Sequence, residues 1–259
     1  MSRLEKRLLN GIGRAVHDFG LIEKGDRILV AVSGGKDSLS LLSLLMRLRE
    51  RSPVPFTLVA VNVDQGQPGF PADKLALWFE KLGVEHKIVR QDTYSIVKRL
   101  TRPGKTFCAV CSRLRRGILY NTAVELRCTK IALGHHREDL IETLLLSAFF
   151  AGALKSMPAR LVSDDGRNTV IRPLVYCAED ELRAYAAEEH LPVIPCGLCS
   201  AQPNQQRARV KRLVAALAKE HPAVPGNLLN SLSNVVPSHL LDRSLRSVGS
   251  PRKKGDAED

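Results

Sequence analysis

Apolar residues recur along this chain in two patterns, at helical spacing and in short continuous runs. Residues 4–20 have apolar side chains three and four positions apart, which predicts an amphipathic helix. Residues 27–32 form a continuous apolar run, which is typical of a strand buried on both faces. The same patterns predict further strands at 56–63, 85–89, 130–134 and 171–174, and further helices at 39–51, 72–82, 112–126 and 138–151. Because strands alternate with helices, we expect an α/β fold with a doubly wound parallel sheet.

Composition sets the class of protein and its organisation. The 259 residues are 44% hydrophobic and 25% charged, a balance typical of globular domains. The sequence has no run of about 18 apolar residues, and its charged N-terminal segment lacks a signal-peptide core. We therefore expect a cytoplasmic protein with no membrane partner. Four regions are predicted: an N-terminal helix at 1–24, an α/β domain at 25–195, a cysteine-bearing helical region at 196–242 and a disordered basic tail at 243–259.

Basic residues exceed acidic ones and concentrate in two clusters. The chain has 39 Lys+Arg against 27 Asp+Glu, a formal net charge of +12. The first basic cluster runs from Lys98 to Arg116, and the second comprises Arg207, Arg209, Lys211 and Arg212. Either cluster alone is compatible with a solvated helix face, but each adjoins a pair of cysteines. Phosphate backbones bind such patches, so the charge favours a polyanionic partner.

A glycine-rich loop follows the strand predicted at 27–32. Its sequence is Ser33-Gly34-Gly35-Lys36-Asp37-Ser38, and a helix is predicted directly after it. Glycines let a backbone approach a ligand closely, and the N-terminus of a helix favours an anion. The hydroxyls of Ser33 and Ser38 and the amine of Lys36 add further donors. The spacing is not that of a Walker A motif. Its place after a parallel strand nevertheless predicts a phosphate-binding site.

The six cysteines divide into two pairs and two single residues. The pairs are Cys108–Cys111 and Cys196–Cys199, and Cys128 and Cys177 are expected to be small buried hydrophobes. Two Cys-x-x-Cys pairs indicate a metal site, for which a structural Zn²⁺ is one candidate. The pairs lie much farther apart than in compact zinc ribbons, and soft thiolates also suit iron–sulfur clusters. Spacing and composition alone leave zinc and iron–sulfur open.

Longer motifs carry a family resemblance. The Ser-Gly-Gly-x-Asp-Ser loop resembles that of the PP-loop ATP pyrophosphatases, which split ATP between the α and β phosphates to adenylate a carbonyl oxygen. With segments 108–120, 134–139, 163–166, 195–204 and 234–239, it resembles the tRNA 2-thiocytidine synthetases over nearly the whole chain. These enzymes thiolate cytidine 32 in the anticodon loop of tRNA. The resemblance implies a Rossmann-like PP-loop domain at 25–195 and an ATP-dependent tRNA sulfurtransferase activity.

The resemblance also implies cofactors and the residues that hold them. The cofactors are ATP, Mg²⁺ and a [4Fe–4S] cluster with only three cysteine ligands, whose open iron would carry the incoming sulfur. Those ligands would be Cys108, Cys111 and Cys196, with Cys199 as the alternative third ligand. The loop Ser33–Ser38 would hold the pyrophosphate. Asp37 would help to place Mg²⁺, because this hard ion prefers oxygen ligands.

Further site residues follow from the same motifs. Gly134 and His135 are expected beside the nucleotide, and Asp139 is expected to be an active-site carboxylate, either a Mg²⁺ ligand or a general acid/base. Arg115 stands where related thiolases have a catalytic lysine; it would neutralise phosphate charge but cannot readily transfer a proton. Asp64 would either face the adenosine or cap its strand. Residues 163–166 are expected to form an ordinary hairpin turn.

The expected reaction begins when the C2 oxygen of the base attacks the α phosphate, and sulfur then displaces AMP. The expected partners are the tRNA anticodon loop, bound mainly through the two basic clusters, and a cysteine desulfurase or another sulfur donor. The resemblance is also compatible with a homodimer. Two alternatives stay open: another PP-loop adenylating enzyme, which thiolates a different tRNA base or forms lysidine or an amide, and a zinc-stabilised RNA-binding module.

Overall fold

One mixed sheet organises the computed structural model, which describes residues 1–67, 70–100, 108–194 and 205–248. Within these residues the sheet has six strands in the order β3-β2-β1-β4-β6-β5. All neighbouring strands are parallel except β5 and β6, which are antiparallel. The strands are β1 (Arg27–Ala31), β2 (Thr57–Asp64), β3 (Glu85–Arg90), β4 (Lys130–Ala132), β5 (Arg160–Val162) and β6 (Thr169–Ile171). The predicted α/β fold with a parallel sheet is confirmed.

Helices connect the strands and cover the sheet. They are α1 (Arg3–Phe19), α2 (Lys36–Arg51), α3 (Ala72–Leu82), α4 (Thr93–Leu100), α5 (Cys108–Glu125), α6 (Arg137–Ala151), α7 (Glu179–Glu188), α8 (Gln205–Glu220) and α9 (Val224–Ser231). Two 3₁₀ helices follow at Pro237–His239 and Arg243–Val248. None of the helices in the described part of the chain is long and apolar enough to cross a membrane.

The strand order reverses at β1, and this reversal positions the site. The chain builds β2 and β3 on one side of β1, then returns to place β4 on the other, so that Leu29 lies opposite both Val59 and Ile131. Loops after β1 and β4 therefore diverge over a crevice at the carboxyl edge of the sheet. Ligands of open α/β sheets bind at such a switch point. The glycine-rich loop and the Gly134–Asp139 segment follow these two strands.

The core lies on both faces of the central strands. Ile28, Leu29 and Val30 of β1 are completely buried, which is the reason their run is continuously apolar. Helix α2 is buried on more than one side because it packs against α1 and α7 as well as the sheet. At the opposite end of β4, the buried Lys130 Nζ lies 2.7 Å from carboxylate oxygens of both Glu23 and Asp26.

Several elements differ from the sequence expectations. Helices α2 and α5 begin at Lys36 and Cys108, so the polar and cysteine residues lie in their first turns. The strand predicted at 171–174 is wrong, because β6 ends at Ile171. Beyond it, Arg172 N donates to Ala159 O, and Pro173 has no N–H for a ladder. The hairpin expected at 163–166 is confirmed between β5 and β6.

Contacts divide the chain into two units, Met1–Leu213 and Val214–Asp259. The first contains the sheet and every site residue described below. The second contains the end of α8, α9 and both 3₁₀ helices, one of which, Arg243–Val248, starts the segment predicted to be disordered. Residues 249–259 of that tail and the Cys196–Cys199 pair lie outside the described residues.

Candidate active site

The glycine-rich loop is held in shape by its own serines. Ser38 Oγ donates to Gly35 O at 2.9 Å and accepts from Ser33 N at 3.1 Å, and the two serine hydroxyls lie 3.2 Å apart. Gly34 has a φ of +88°, a conformation that favours glycine, and a Cβ there would meet the Ile194 side chain at 3.2 Å. Ile194 N donates to Gly34 O at 2.9 Å. These contacts fix the shape of the loop.

The start of helix α2 fits an anion and a cation together. Its N-cap is Gly35, and among the described residues no side chain caps its first turn, so the N–H groups there are available to phosphate oxygens. Asp37 Oδ1 is buried and makes no hydrogen bond within the described residues, although Lys36 Nζ lies 3.0 Å away as an ion pair. A buried carboxylate oxygen without a donor suits a hard cation such as Mg²⁺.

Gly134 lies against this first turn from the neighbouring strand. A Cβ at Gly134 would lie 3.0 Å from Ser38 N and 3.1 Å from Asp37 C and Ser38 Cα. These are backbone atoms that no side-chain rotation can move. Glycine is therefore required so that the loop after β4 can approach the phosphate loop after β1.

A cavity of about 530 Å³ opens between these loops and helix α5. This volume is in the range of small-molecule sites. Eight of the predicted site residues line it: Ser33, Gly35, Asp37, Ser38, Arg115, Gly134, His135 and Asp139. Its remaining walls are apolar strand ends, Met157, Leu161, Arg172 and the α5 residues Ser112, Arg116, Leu119 and Tyr120. The structure thus brings most of the predicted site to one place.

Three predicted binding residues are not among those that line the cavity. Gly34 packs on Ile194, and Lys36 is engaged in ion pairs. Asp64 accepts from Gly66 N at 3.0 Å and lies 4.0 Å from Arg90 Nε, so it closes the turn after β2. Of the two roles considered for Asp64, this geometry favours capping the strand over contact with the adenosine.

Helix α5 begins with the first cysteine pair and continues into residues that line the cavity. Cys108 and Cys111 lie in its first turn, directly before the lining residues Ser112 and Arg115. The Cys111 thiol donates to Gln65 Oε1 at 3.0 Å, whereas Cys196 and Cys199 lie outside the described residues. Soft thiolates at the start of this helix suit an iron–sulfur cluster or zinc equally by donor chemistry.

His136 stands among three carboxylates. Its Nδ1 lies 3.2 Å from Glu138, and its Nε2 lies 3.5 Å from Asp139 and 3.9 Å from Asp37. Burial lowers the pKa of His136, but the hydrogen bond to Glu138 and the nearby negative charges outweigh it, so its pKa is raised. The adjacent Glu138 has its pKa lowered to about 2, because hydrogen bonds and charge from His136 and Arg137 overcome the opposing effect of burial.

Glu179, at the start of α7, ties the loop lysine to helix α8. Its carboxylate accepts from Lys36 Nζ at 3.1 Å and from Lys211 Nζ at 2.6 Å. These two bonds outweigh burial and lower the pKa of Glu179 to about 2. Lys36 therefore meets a counterion within the chain, and phosphate would have to compete with it.

Two residues of the second basic cluster form ion pairs with acidic residues of the chain. Arg207 Nη1 lies 3.1 Å from both Asp139 and Glu142, and Lys211 binds Glu179. Carboxylates therefore neutralise the charge of two of the four residues that were expected to contact RNA phosphates. Within the described residues Arg209 and Arg212 are exposed and form no ion pair.

Arg172 and His135 form a buried pair that the sequence reasoning missed. Arg172 Nε donates to His135 Nδ1 at 3.2 Å, and its Nη1 donates to Pro158 O at 2.6 Å. Burial, assisted by the Arg172 charge, lowers the pKa of His135 to about 4. One signal was visible in the sequence: an arginine directly after the apolar run of β6. No pattern in the sequence identified Glu179 or Arg207 as partners of the site.

Comparisons with known proteins agree with this geometry. A family model described as the PP-loop domain matches residues 4–211. The chain is 64% identical over 248 residues to the tRNA-cytidine(32) 2-sulfurtransferase of an Anaeromyxobacter species, covering 96% of this chain and 82% of the relative. It is 54% identical to the protein of the same name from Paraburkholderia phymatum, covering 99% and 76%. Its fold is similar to that of the U34-tRNA thiolase NcsA from Methanococcus maripaludis with its [4Fe-4S] cluster, with a TM-score of 0.71 and 23% sequence identity. This match covers 90% of this chain and 80% of NcsA.

Proposed function

Because the chain belongs to the PP-loop family and, within it, to the tRNA-cytidine(32) 2-sulfurtransferases, we propose that it uses ATP to replace the C2 oxygen of cytidine 32 in tRNA with sulfur. The observation that carries this proposal is one cavity lined by both the phosphate loop and the helix that begins with Cys108 and Cys111. A nucleotide and a sulfur-bearing group held there would meet at the same base.

The nucleotide site is built from the loop and the uncapped helix α2. The N–H groups at the helix start bind the phosphates, and Asp37 Oδ1 is the oxygen that would hold Mg²⁺. Lys36 neutralises phosphate charge once it leaves Glu179. Gly134 lets the loop after β4 lie close enough to the phosphate loop to shield the phosphates from water.

Adenylation of the C2 oxygen of cytidine converts a poor leaving group into a good one, AMP. The C2 oxygen attacks the α-phosphorus, the bond to the β-phosphate breaks and pyrophosphate leaves. A sulfur nucleophile at the oxidation level of sulfide then bonds to C2, the C2–O bond breaks, and its electron pair leaves with AMP while the sulfur proton passes to solvent. The step has no net redox change. Arg115, which lines the cavity, offers charge for the phosphoryl oxygens but no transferable proton.

Cys108, Cys111 and either Cys196 or Cys199 are the thiolates proposed to hold a [4Fe–4S] cluster. When bound, the cluster would supply an iron open to sulfur. Ile194, before the segment with the second cysteine pair, donates to Gly34 O, and Arg207, after that segment, binds Asp139. Both anchors of the segment with the second cysteine pair thus contact the site, which supports a shared centre.

The proposed macromolecular partner is the anticodon loop of tRNA. Arg113, Arg115 and Arg116 on α5 form no ion pair within the described residues, so their charges are available to phosphates near the cavity. An unstacked loop base can enter a cavity of this size at small cost. A cysteine desulfurase or another donor supplies the sulfur, and we propose that the reaction takes place in the cytoplasm.

The test is anaerobic reconstitution followed by mass spectrometry of tRNA incubated with ATP, Mg²⁺ and sulfide. We expect one added sulfur at cytidine 32, with pyrophosphate release that depends on tRNA. Protein that binds one zinc and no iron, and releases no pyrophosphate with tRNA, would instead support the zinc-stabilised RNA-binding module.

Cysteine variants identify the ligands. Cys111→Ser should lose both iron and thiolation, whereas Cys128→Ser, a half-buried cysteine outside both pairs, should keep both. Cys196→Ala and Cys199→Ala are compared separately. The assignment of Cys196 fails if its variant retains the iron while the Cys199 variant loses it.

A further inference from the structure

Arg172 is a buried cation without an acidic partner. Its side chain lines the cavity, the residue is only 8% exposed, and among the described residues no carboxylate lies within ion-pair distance. Burial lowers the pKa of Arg172, as expected when a charge loses water without gaining a counterion. A buried unpaired charge is costly, so its retention points to a ligand of opposite charge.

The Arg172 guanidinium uses two of its nitrogens in hydrogen bonds to the chain and leaves the third open to the cavity. Nε and Nη1 donate to His135 Nδ1 and Pro158 O. Nη2 makes no hydrogen bond with the described residues and is not among their buried unpartnered atoms, so solvent in the cavity reaches it. Because His135 Nδ1 accepts a hydrogen bond from a permanent donor, the neutral ring carries its proton on Nε2. Arg172 thereby presents its own donors and also sets the tautomer of His135.

The order of loops along the sheet edge locates the ligand group. The phosphate loop follows β1, Gly134 and His135 follow β4, and Arg172 follows β6, the next strand. Neighbouring strands are about 4.8 Å apart, so β6 lies about 10 Å from β1, within the length of one nucleotide. A triphosphate whose terminal phosphates occupy the loop would extend past His135 towards Arg172.

We infer that Arg172 binds the α-phosphate of the nucleotide, the group that becomes AMP, and holds His135 beside it as an Nε2–H donor. This inference rests on the proposed function and adds to it the residue that stabilises charge on the transferred phosphoryl group. The phosphate loop would then hold the pyrophosphate portion, so that the two products separate along the sheet edge.

The test compares three probes by calorimetry on the full chain: AMP, adenosine and pyrophosphate. In Arg172→Met we expect AMP affinity to fall by about tenfold to a hundredfold, as for loss of a charged hydrogen bond, with adenosine and pyrophosphate unchanged. Arg167→Met, an exposed arginine of the same hairpin that pairs with Asp165, is the matched control and should bind all three as wild type does. Histidine ¹⁵N NMR, assigned with His135→Gln, should show the Nε2–H form in wild type and loss of that preference in Arg172→Met.

The outcomes separate this inference from the function it rests on. Equal loss of AMP and adenosine would show a structural role and overturn the inference, as would loss of pyrophosphate binding alone. Unchanged AMP affinity with weakened tRNA binding would assign Arg172 to an RNA phosphate and also overturn it. If Arg172→Met does not fold, Arg172→Lys keeps the charge without the planar donors and should still weaken AMP by about tenfold. Wild type that binds neither AMP nor pyrophosphate would contradict the proposed function itself.

Discussion

Gly134→Ala tests whether the close approach of two loops is what makes the phosphate site. The added Cβ would lie 3.0 Å from Ser38 N, and ordinary contact begins at 3.4 Å, so the first turn of α2 must move by about 0.4 Å. Overpacking of this kind costs about 1–3 kcal/mol of unfolding free energy. Misplacement by about 1 Å can cost about a hundredfold in rate, so we expect kcat/KM for ATP to fall about tenfold to a hundredfold.

The assay is pyrophosphate release with tRNA at varied ATP, together with denaturant unfolding. Gly13→Ala, in helix α1, is the matched control, because its Cβ would meet no atom within 4 Å. It should raise the unfolding free energy by about 0.5–1 kcal/mol and leave kinetics unchanged. If Gly134→Ala keeps both the wild-type KM for ATP and the wild-type unfolding midpoint, the close approach is not a requirement of the site.

Three further variants test the charges around the sheet. Lys130→Met leaves the buried Asp26 carboxylate without its cation and should lower the unfolding free energy by about 3–5 kcal/mol in urea; an unchanged midpoint would contradict this. The pKa of Glu179 is about 2 in the folded chain, against an ordinary value of 4.5. The stability that its ion pairs contribute is therefore present above about pH 4.5 and is lost as the pH falls towards 2. In Glu179→Gln the free energy of unfolding should depend less on pH over this range. Arg207→Met leaves the buried Glu142 without its cation and should lower the free energy of unfolding by about 1–3 kcal/mol at neutral pH. The control Arg209→Met, at an exposed position, should leave the free energy of unfolding unchanged. Equal effects of the two variants would refute a stabilising role of the Arg207–Glu142 ion pair.

The central sheet was predictable because burial on both faces leaves continuous apolar runs. Strand β5 had no such signal, since Arg160, Leu161 and Val162 are all exposed and the strand has only three residues. The error at β6 arose because an apolar run was extended through Arg172 and Pro173. Helix α7 did leave a signal in the sequence, apolar residues at 182, 185 and 186, but no helix was predicted there.

The chemistry of the site was predictable only where motif and position coincide. The phosphate loop, Gly134 and His135 follow strands directly, so strand prediction placed them at one edge. Partners that come from distant elements have no local pattern: Glu179 is 143 residues from Lys36 along the chain. The sequence predicted that Lys36, Arg207 and Lys211 would bind phosphates or lie on a solvated face, and in the fold all three form ion pairs with carboxylates of the chain.

This distribution of partners separates two kinds of charge in the site. Lys36 and Asp139 already have counterions, Glu179 and Arg207, so a phosphate or metal must exchange places with a side chain of the chain itself. Arg172 has no such acidic partner among the described residues, so it gains a counterion from a ligand without giving up an ion pair, whereas Asp37 already pairs with Lys36, whose Nζ lies 3.0 Å from its Oδ1. Binding energy should therefore come first from Arg172, while exchange at Lys36 and Asp139 couples nucleotide binding to helix α8, which carries Lys211 and Arg207.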